Sequence, residues 1–211
     1  MTSFDIEAAT MPWVAGLSPC LRVPVAARDM AALEEHVGSV VRQISDRPGV
    51  PGYLVSASRM VDIDRTLPIW DVPQSSRFHS ETQLWVHVDS PRYRRLFAKA
   101  LPNIDISEKD IDHVTNRHVA RLKGFLYLRL VAISRAANRS SGAISEKWAI
   151  EYHGSEEMQR RHRQSKARVQ YADIADLAKM LDIAVGGGVM DQLNEVQYLF
   201  RPRQPVVPGG A

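Results

Sequence analysis

The residues best equipped for chemistry stand close together near the middle of the chain. Asp110, Asp112 and His113 fall in the run Asp-Ile-Asp-His-Val at 110–114, and Asn138 opens the run Asn-Arg-Ser-Ser-Gly at 138–142, 25 positions beyond His113. Phosphodiester hydrolysis needs a base to deprotonate water, a Lewis acid for the phosphoryl and leaving oxygens, and cations for the neighbouring phosphates. His113 suits the first role because an ordinary imidazole titrates near neutrality. Asp112 and Asn138 offer a carboxylate and an amide oxygen for a hard divalent ion, with coordination positions left for water and phosphate. Arg117, Arg121, Arg129, Arg135 and Arg139 are candidates for holding phosphates. Asp110, His118, Tyr127 and Glu146 are possible accessories: a second carboxylate, a further imidazole, a partner that orients His113, and an acid one or two helical turns past Asn138. For each of these an ordinary role competes. An aspartate caps or solvates, an asparagine at a helix start bonds backbone, and a helical glutamate pairs with a nearby arginine.

The charge distribution strengthens the phosphate reading. Residues 113–168 carry 12 Lys/Arg against 4 Asp/Glu, a balance of +8, whereas residues 1–112 balance at −3 and residues 169–211 at −2. A segment so basic is a natural footprint for a polyanion, because each phosphate contact releases condensed counterions. A solvated arginine-rich helix is the plainer explanation of the same run. Cys20 is the only cysteine, which excludes an intrachain disulfide and a cysteine-rich zinc ribbon. A metal would therefore take oxygen and nitrogen ligands, magnesium first, with manganese, zinc or nickel compatible. At 211 residues and 45% hydrophobic content the chain can bury a sizeable core, and it shows neither an apolar run long enough to span a bilayer nor a secretory leader. A cytoplasmic location with no membrane association is the expectation.

Elements that would position these residues can be read from the pattern. A strand is expected at 21–25, and a helix at 27–44, where Met30, Leu33, Val37, Val40, Val41 and Ile44 recur at helical spacing. Strands are expected at 52–61 and 84–88, with a helix from Pro91 to Leu101, capped by Asp89 or Ser90 and stopped by Pro102. The run at 125–133 is strongly strand-like after Gly124, and Ser134 can cap a helix starting at Arg135. Helices at 144–152, 156–168 and 174–183 follow, then Gly186-Gly187-Gly188 and a Pro/Gly-rich tail from 202. The fold class expected is α+β: a mixed α/β region over 1–105, a strand, loop, strand and helix unit within 106–170, and a C-terminal helix and tail over 171–211. Because neighbours on a regular strand point to opposite faces, Asp112 and His113 can share a site only at a strand end or a bulge.

Asp-Ile-Asp-His-Val, the hydrophobic strand and Asn-Arg-Ser-Ser-Gly together resemble the HNH, or His-Me finger, nucleases, over roughly a quarter of the chain from Asp110 to about Lys147. The resemblance implies a ββα-metal module, with His113 as general base and Asp112 and Asn138 as ligands of a single divalent metal. The chain departs from the family in lacking a middle asparagine within 125–133 to fix the histidine loop, a part that Tyr127 or a backbone carbonyl would have to take, and in lacking bracing cysteine pairs. The Asn-Arg-Ser-x-Gly run with Glu146 and Lys147 is also similar to nuclease modules of bacterial polymorphic toxins. That likeness implies an acidic immunity protein and delivery to a target cell's cytoplasm. Three functions follow for comparison: a metal-dependent nuclease acting on DNA, with RNA not excluded; a non-catalytic nucleic-acid-binding or phage/structural protein that keeps the ββα scaffold; and an adaptor whose first half carries the function.

Overall fold

The computed structural model describes residues 23–45, 50–57, 82–142, 145–172, 176, 179, 180 and 182, with the side chains of 140–148 outside that description. The expected helix at 174–183, apart from the few residues named, lies outside the described residues, as do the glycine turn and the tail. Among the described residues seven strands form one antiparallel sheet: β1 (Pro24–Ala27), β2 (Ser39–Ile44), β3 (Gly52–Ser56), β4 (Thr82–His87), β5 (Lys109–His113), β6 (Tyr127–Ser134) and β7 (Val169–Tyr171). Their order is β2-β3-β4-β6-β1-β7, with β5 pairing β6 beyond this path. Helices α1 (Met30–His36), α2 (Tyr93–Ala100), α3 (Arg117–Lys123), α4 (Arg135–Gly142), α5 (Ser145–Gly154) and α6 (Glu156–Gln164) accompany it among the described residues. The α+β class expected from the sequence is the observed one. Among the described residues no helix is long and apolar enough to cross a membrane.

Strand β6 organises the molecule. Its first residues pair with β4 through Trp85↔Arg129 and Val86↔Leu128 and with β1 through Ala26↔Leu128, while its second half pairs with β5. The sheet therefore takes strands from both sides of position 105. Both faces of its centre are covered, which is why β4 is buried at four consecutive positions rather than at alternate ones. Leu84 and Val86 pack with Ile111, Leu130 and the Leu96, Phe97 and Ala100 face of α2. Trp85 points the other way, into Leu33 of α1, Val37 just beyond it, Val55 and Val169. A smaller cluster of Ala26, Val88, Ala120, Phe125 and Leu128 sits beneath α3.

Two local departures from the sequence expectation have clear causes. The helix expected over 27–44 ends at His36, and 39–44 is strand β2. A Cβ at Gly38 would lie 1.9 Å from the Ser56 carbonyl oxygen, so the chain can pass β3 this closely only with glycine, and the β-branched Val40 and Val41 beyond it favour a strand. The link between β5 and β6, expected as a hairpin loop, contains helix α3. Asn116 starts it, its side-chain oxygen accepting from the backbone N–H groups of His118 and Val119, and Gly124 ends it in the left-handed conformation at φ 82°.

Candidate functional site

Strand β5 pairs with β6 in unbroken register, Asp110↔Ile133, Asp112↔Val131 and His113↔Leu130, so its side chains alternate strictly. Ile111 and His113 take the face covered by α2: Ile111 joins the α2 core, and the His113 ring lies 4.5 Å from that of Tyr93 at 52°. Asp110 and Asp112 take the other face. There Ser134 Oγ accepts from the Ala137 N–H at the start of α4, as the sequence predicts, and this sets Asn138 one turn along, with its Nδ2 donating to Asp110 Oδ2 at 2.9 Å. The amide thus meets Asp110 and not Asp112. Asp112 has other partners. Its Oδ2 lies 2.7 Å from the ammonium of Lys179, and its Oδ1 accepts from the His113 backbone N–H at 2.8 Å.

His113 is almost fully enclosed at 5% exposure, and its Nε2 has no hydrogen-bond partner among the described residues. Burial pushes its pKa down to about 4; nearby Asp112 pulls it up, and Arg117, Lys179 and Arg121 push it further down. The imidazole is therefore neutral at pH 7. Its Nδ1 stands 3.9 Å from Asp112 Oδ1, beyond hydrogen-bond reach. Among the described residues there is no group of three or more His, Cys, Asp or Glu placed to hold a metal ion. The donors that the nuclease resemblance implies do not meet: Asp112 is neutralised by an ammonium, Asn138 is bonded to Asp110, and His113 faces α2. The arrangement does not fit a single-metal centre built on Asp112 and Asn138.

The remaining sequence candidates scatter. Arg129 is inside the sheet at 2% exposure, where burial lowers its pKa to about 9, so it cannot reach a phosphate. Arg121 is exposed but committed, its Nε donating to Asp89 Oδ1 at 2.8 Å and its Nη2 to the Val88 carbonyl oxygen at 3.2 Å. Arg117 is half-buried, and His118, Arg135 and Arg139 are exposed. Tyr127 does not orient His113. It packs edge-on against Tyr53 and His87, with ring centroids 5.6 and 5.7 Å away, and burial raises its phenol pKa. The Glu146 side chain lies outside the described residues.

Two features were missed. Tyr93 is the aromatic ring against His113, and its spacing with Leu96, Phe97 and Ala100 on α2 was a usable signal. Lys179, 66 residues beyond His113, offered none. The basic segment fares better. Ser155 caps α6, whose Met158 and His162 face inward, while Arg160 and Arg163 lie one turn apart on the outward side. Arg161 pairs with Glu157, and Arg168 with Asp29 and Glu35. Arg160, Arg163 and Lys166 are exposed and have no carboxylate partner among the described residues. Comparison with protein-family models, with curated proteins and with solved structures finds no match.

Proposed function

We propose that the protein binds nucleic acid, DNA in the first instance, through the outward face of α6 and the segment that follows it. The observation that carries this reading is the set of exposed cations at Arg160, Arg163 and Lys166, free of carboxylate partners among the described residues and seated in the +8 segment. Cations already matched to acids gain little from a phosphate. Unmatched ones release counterions from the nucleic acid at each contact. The inward Met158 and His162 fix the helix, so the arginines are presented by a rigid element. In this reading the β5–β6–α4 unit is a structural ββα scaffold, and the bonding of Asp112 and Asn138 to protein groups supports that part for it. The experiment is fluorescence anisotropy of a labelled DNA duplex titrated with wild type and with Arg160→Ala/Arg163→Ala/Lys166→Ala at several salt concentrations. Affinity that is insensitive to both the salt and the substitutions rejects the proposal.

A second reading, metal-dependent cleavage with His113 as base, is favoured by one observation: the buried ring nitrogen Nε2, which has no hydrogen-bond partner among the described residues. It requires Lys179 to leave Asp112 and β5 to break its register so that Asp112 and His113 share a face. Plasmid cleavage in magnesium that is lost in His113→Ala while DNA binding persists supports it, and equal cleavage by the variant removes it.

A further inference from the structure

The Asp face of β5 is closed by a segment from far along the chain. Lys179 Nζ donates to the His113 carbonyl oxygen at 2.7 Å and lies 2.7 Å from Asp112 Oδ2, with the lysine itself only 7% exposed. Three residues on, Asp182 Oδ1 accepts from the Ser134 backbone N–H at 2.5 Å, at the far end of β6. Asp176 and Met180 are buried as well. We propose that Lys179 is the resident cation of this site, and that Lys179 and Asp182 together form a strap across β5 and β6, with the ammonium on the carboxylate where the nuclease resemblance would put a divalent metal.

The chemistry leaves room for one cation only. A hard divalent ion binds carboxylate oxygen at short range, and here that oxygen already faces a buried ammonium whose second bond, to the His113 carbonyl, anchors it. Lysine suits the role because its compact charge can satisfy a carboxylate and a carbonyl at once. A buried lysine is retained only when paired, so the strap and the Asp112 side chain depend on each other. Asp182 then accepts from the backbone N–H of Ser134, the last residue of β6 before α4. This inference does not rest on nucleic-acid binding, and it can fail while that reading stands.

The strap leaves a local reporter, the Ser134 amide, which exchanges slowly only while Asp182 accepts from it. Hydrogen-exchange mass spectrometry on the full chain compares wild type with Lys179→Met, Asp112→Asn and the double variant. Either single change is expected to raise exchange in the peptide that contains Ser134 by an order of magnitude or more, with peptides from β3 and β4 unchanged. The double variant is expected to be no worse than the singles, because the pair is removed as a unit. Adding Mn2+ to wild type, followed by the electron paramagnetic resonance signal of the free ion, is expected to show no uptake. Unchanged Ser134 exchange in both single variants overturns the proposal. So does stoichiometric Mn2+ uptake by wild type that Asp112→Asn abolishes.

Discussion

Acidification should destabilise this protein through a buried histidine pair, His153 and His162, that joins α6 to the helix before it. His153 Nδ1 and His162 Nε2 lie 3.2 Å apart between α5 and α6, and both rings are buried. At that distance one nitrogen donates and the other accepts, so the contact needs a neutral acceptor ring. Burial pushes His153 down to about 3, and Lys123 and His162 act in the same direction. Lys123 is itself buried and donates to Gln170 Oε1 at 3.3 Å, so its charge cannot swing away. The sign follows from which state takes up the proton. In the unfolded chain the imidazole has its ordinary pKa near 6.5, so below that pH the unfolded state binds a proton that the folded state refuses. The contribution of His153 is therefore intact above about pH 6.5 and falls as pH drops toward about 3, by about 1.4 kcal/mol per pH unit. Between pH 7 and pH 5 the loss is about 2 kcal/mol, a sizeable part of a typical domain's stability. Urea unfolding of wild type and His153→Leu at both pH values isolates this residue, since other titrating groups are common to both. The advantage of wild type over the variant should shrink by about 2 kcal/mol from pH 7 to pH 5. An advantage that is constant or growing would refute the argument that burial holds His153 neutral.

Two stability predictions test the turns that shape the fold. Gly38→Ala should cost about 3 kcal/mol in urea unfolding or prevent folding, because the new Cβ meets a backbone oxygen of β3 that has no side-chain freedom to yield. Asn116→Ala removes the acceptor for two backbone N–H groups at the start of α3 and should cost about 1 kcal/mol, measured in the same way.

The elements legible in the sequence were those with a local cause. The strand-like run at 125–133 is β6, Ser134 caps α4 as expected, and the acidic start and arginine-rich end of 156–168 yield α6 as far as Gln164. The helix read over 27–44 failed because Val37, Val40, Val41 and Ile44 recur at a spacing that helix and strand can share in a short apolar run. Gly38, whose need for a bare backbone arises from β3 some eighteen residues away, was the deciding residue. Helix α3 was legible in principle, from Asn116 before and Gly124 after a run without proline, but was read as the loop of a hairpin. The candidate site shows the same division. Alternation along β5 correctly warned that Asp112 and His113 would part unless the strand were broken, and its register is regular. What meets each side chain came from elsewhere: Tyr93 from α2 and Lys179 from 66 residues downstream, neither of which a motif at 110–142 encodes.

The central claim, that exposed cations on α6 and just beyond it, without carboxylate partners among the described residues, hold nucleic acid, is tested most directly by the salt dependence of binding. Each phosphate contact contributes about 0.9 to the slope of log K against log salt on duplex DNA, so replacing Arg160, Arg163 and Lys166 by alanine should lower the slope by about 2.7. Binding should weaken at low salt across all sequences tested. Equal slopes for the wild type and the triple variant would contradict the account, because the cations it depends on would then not be touching phosphate.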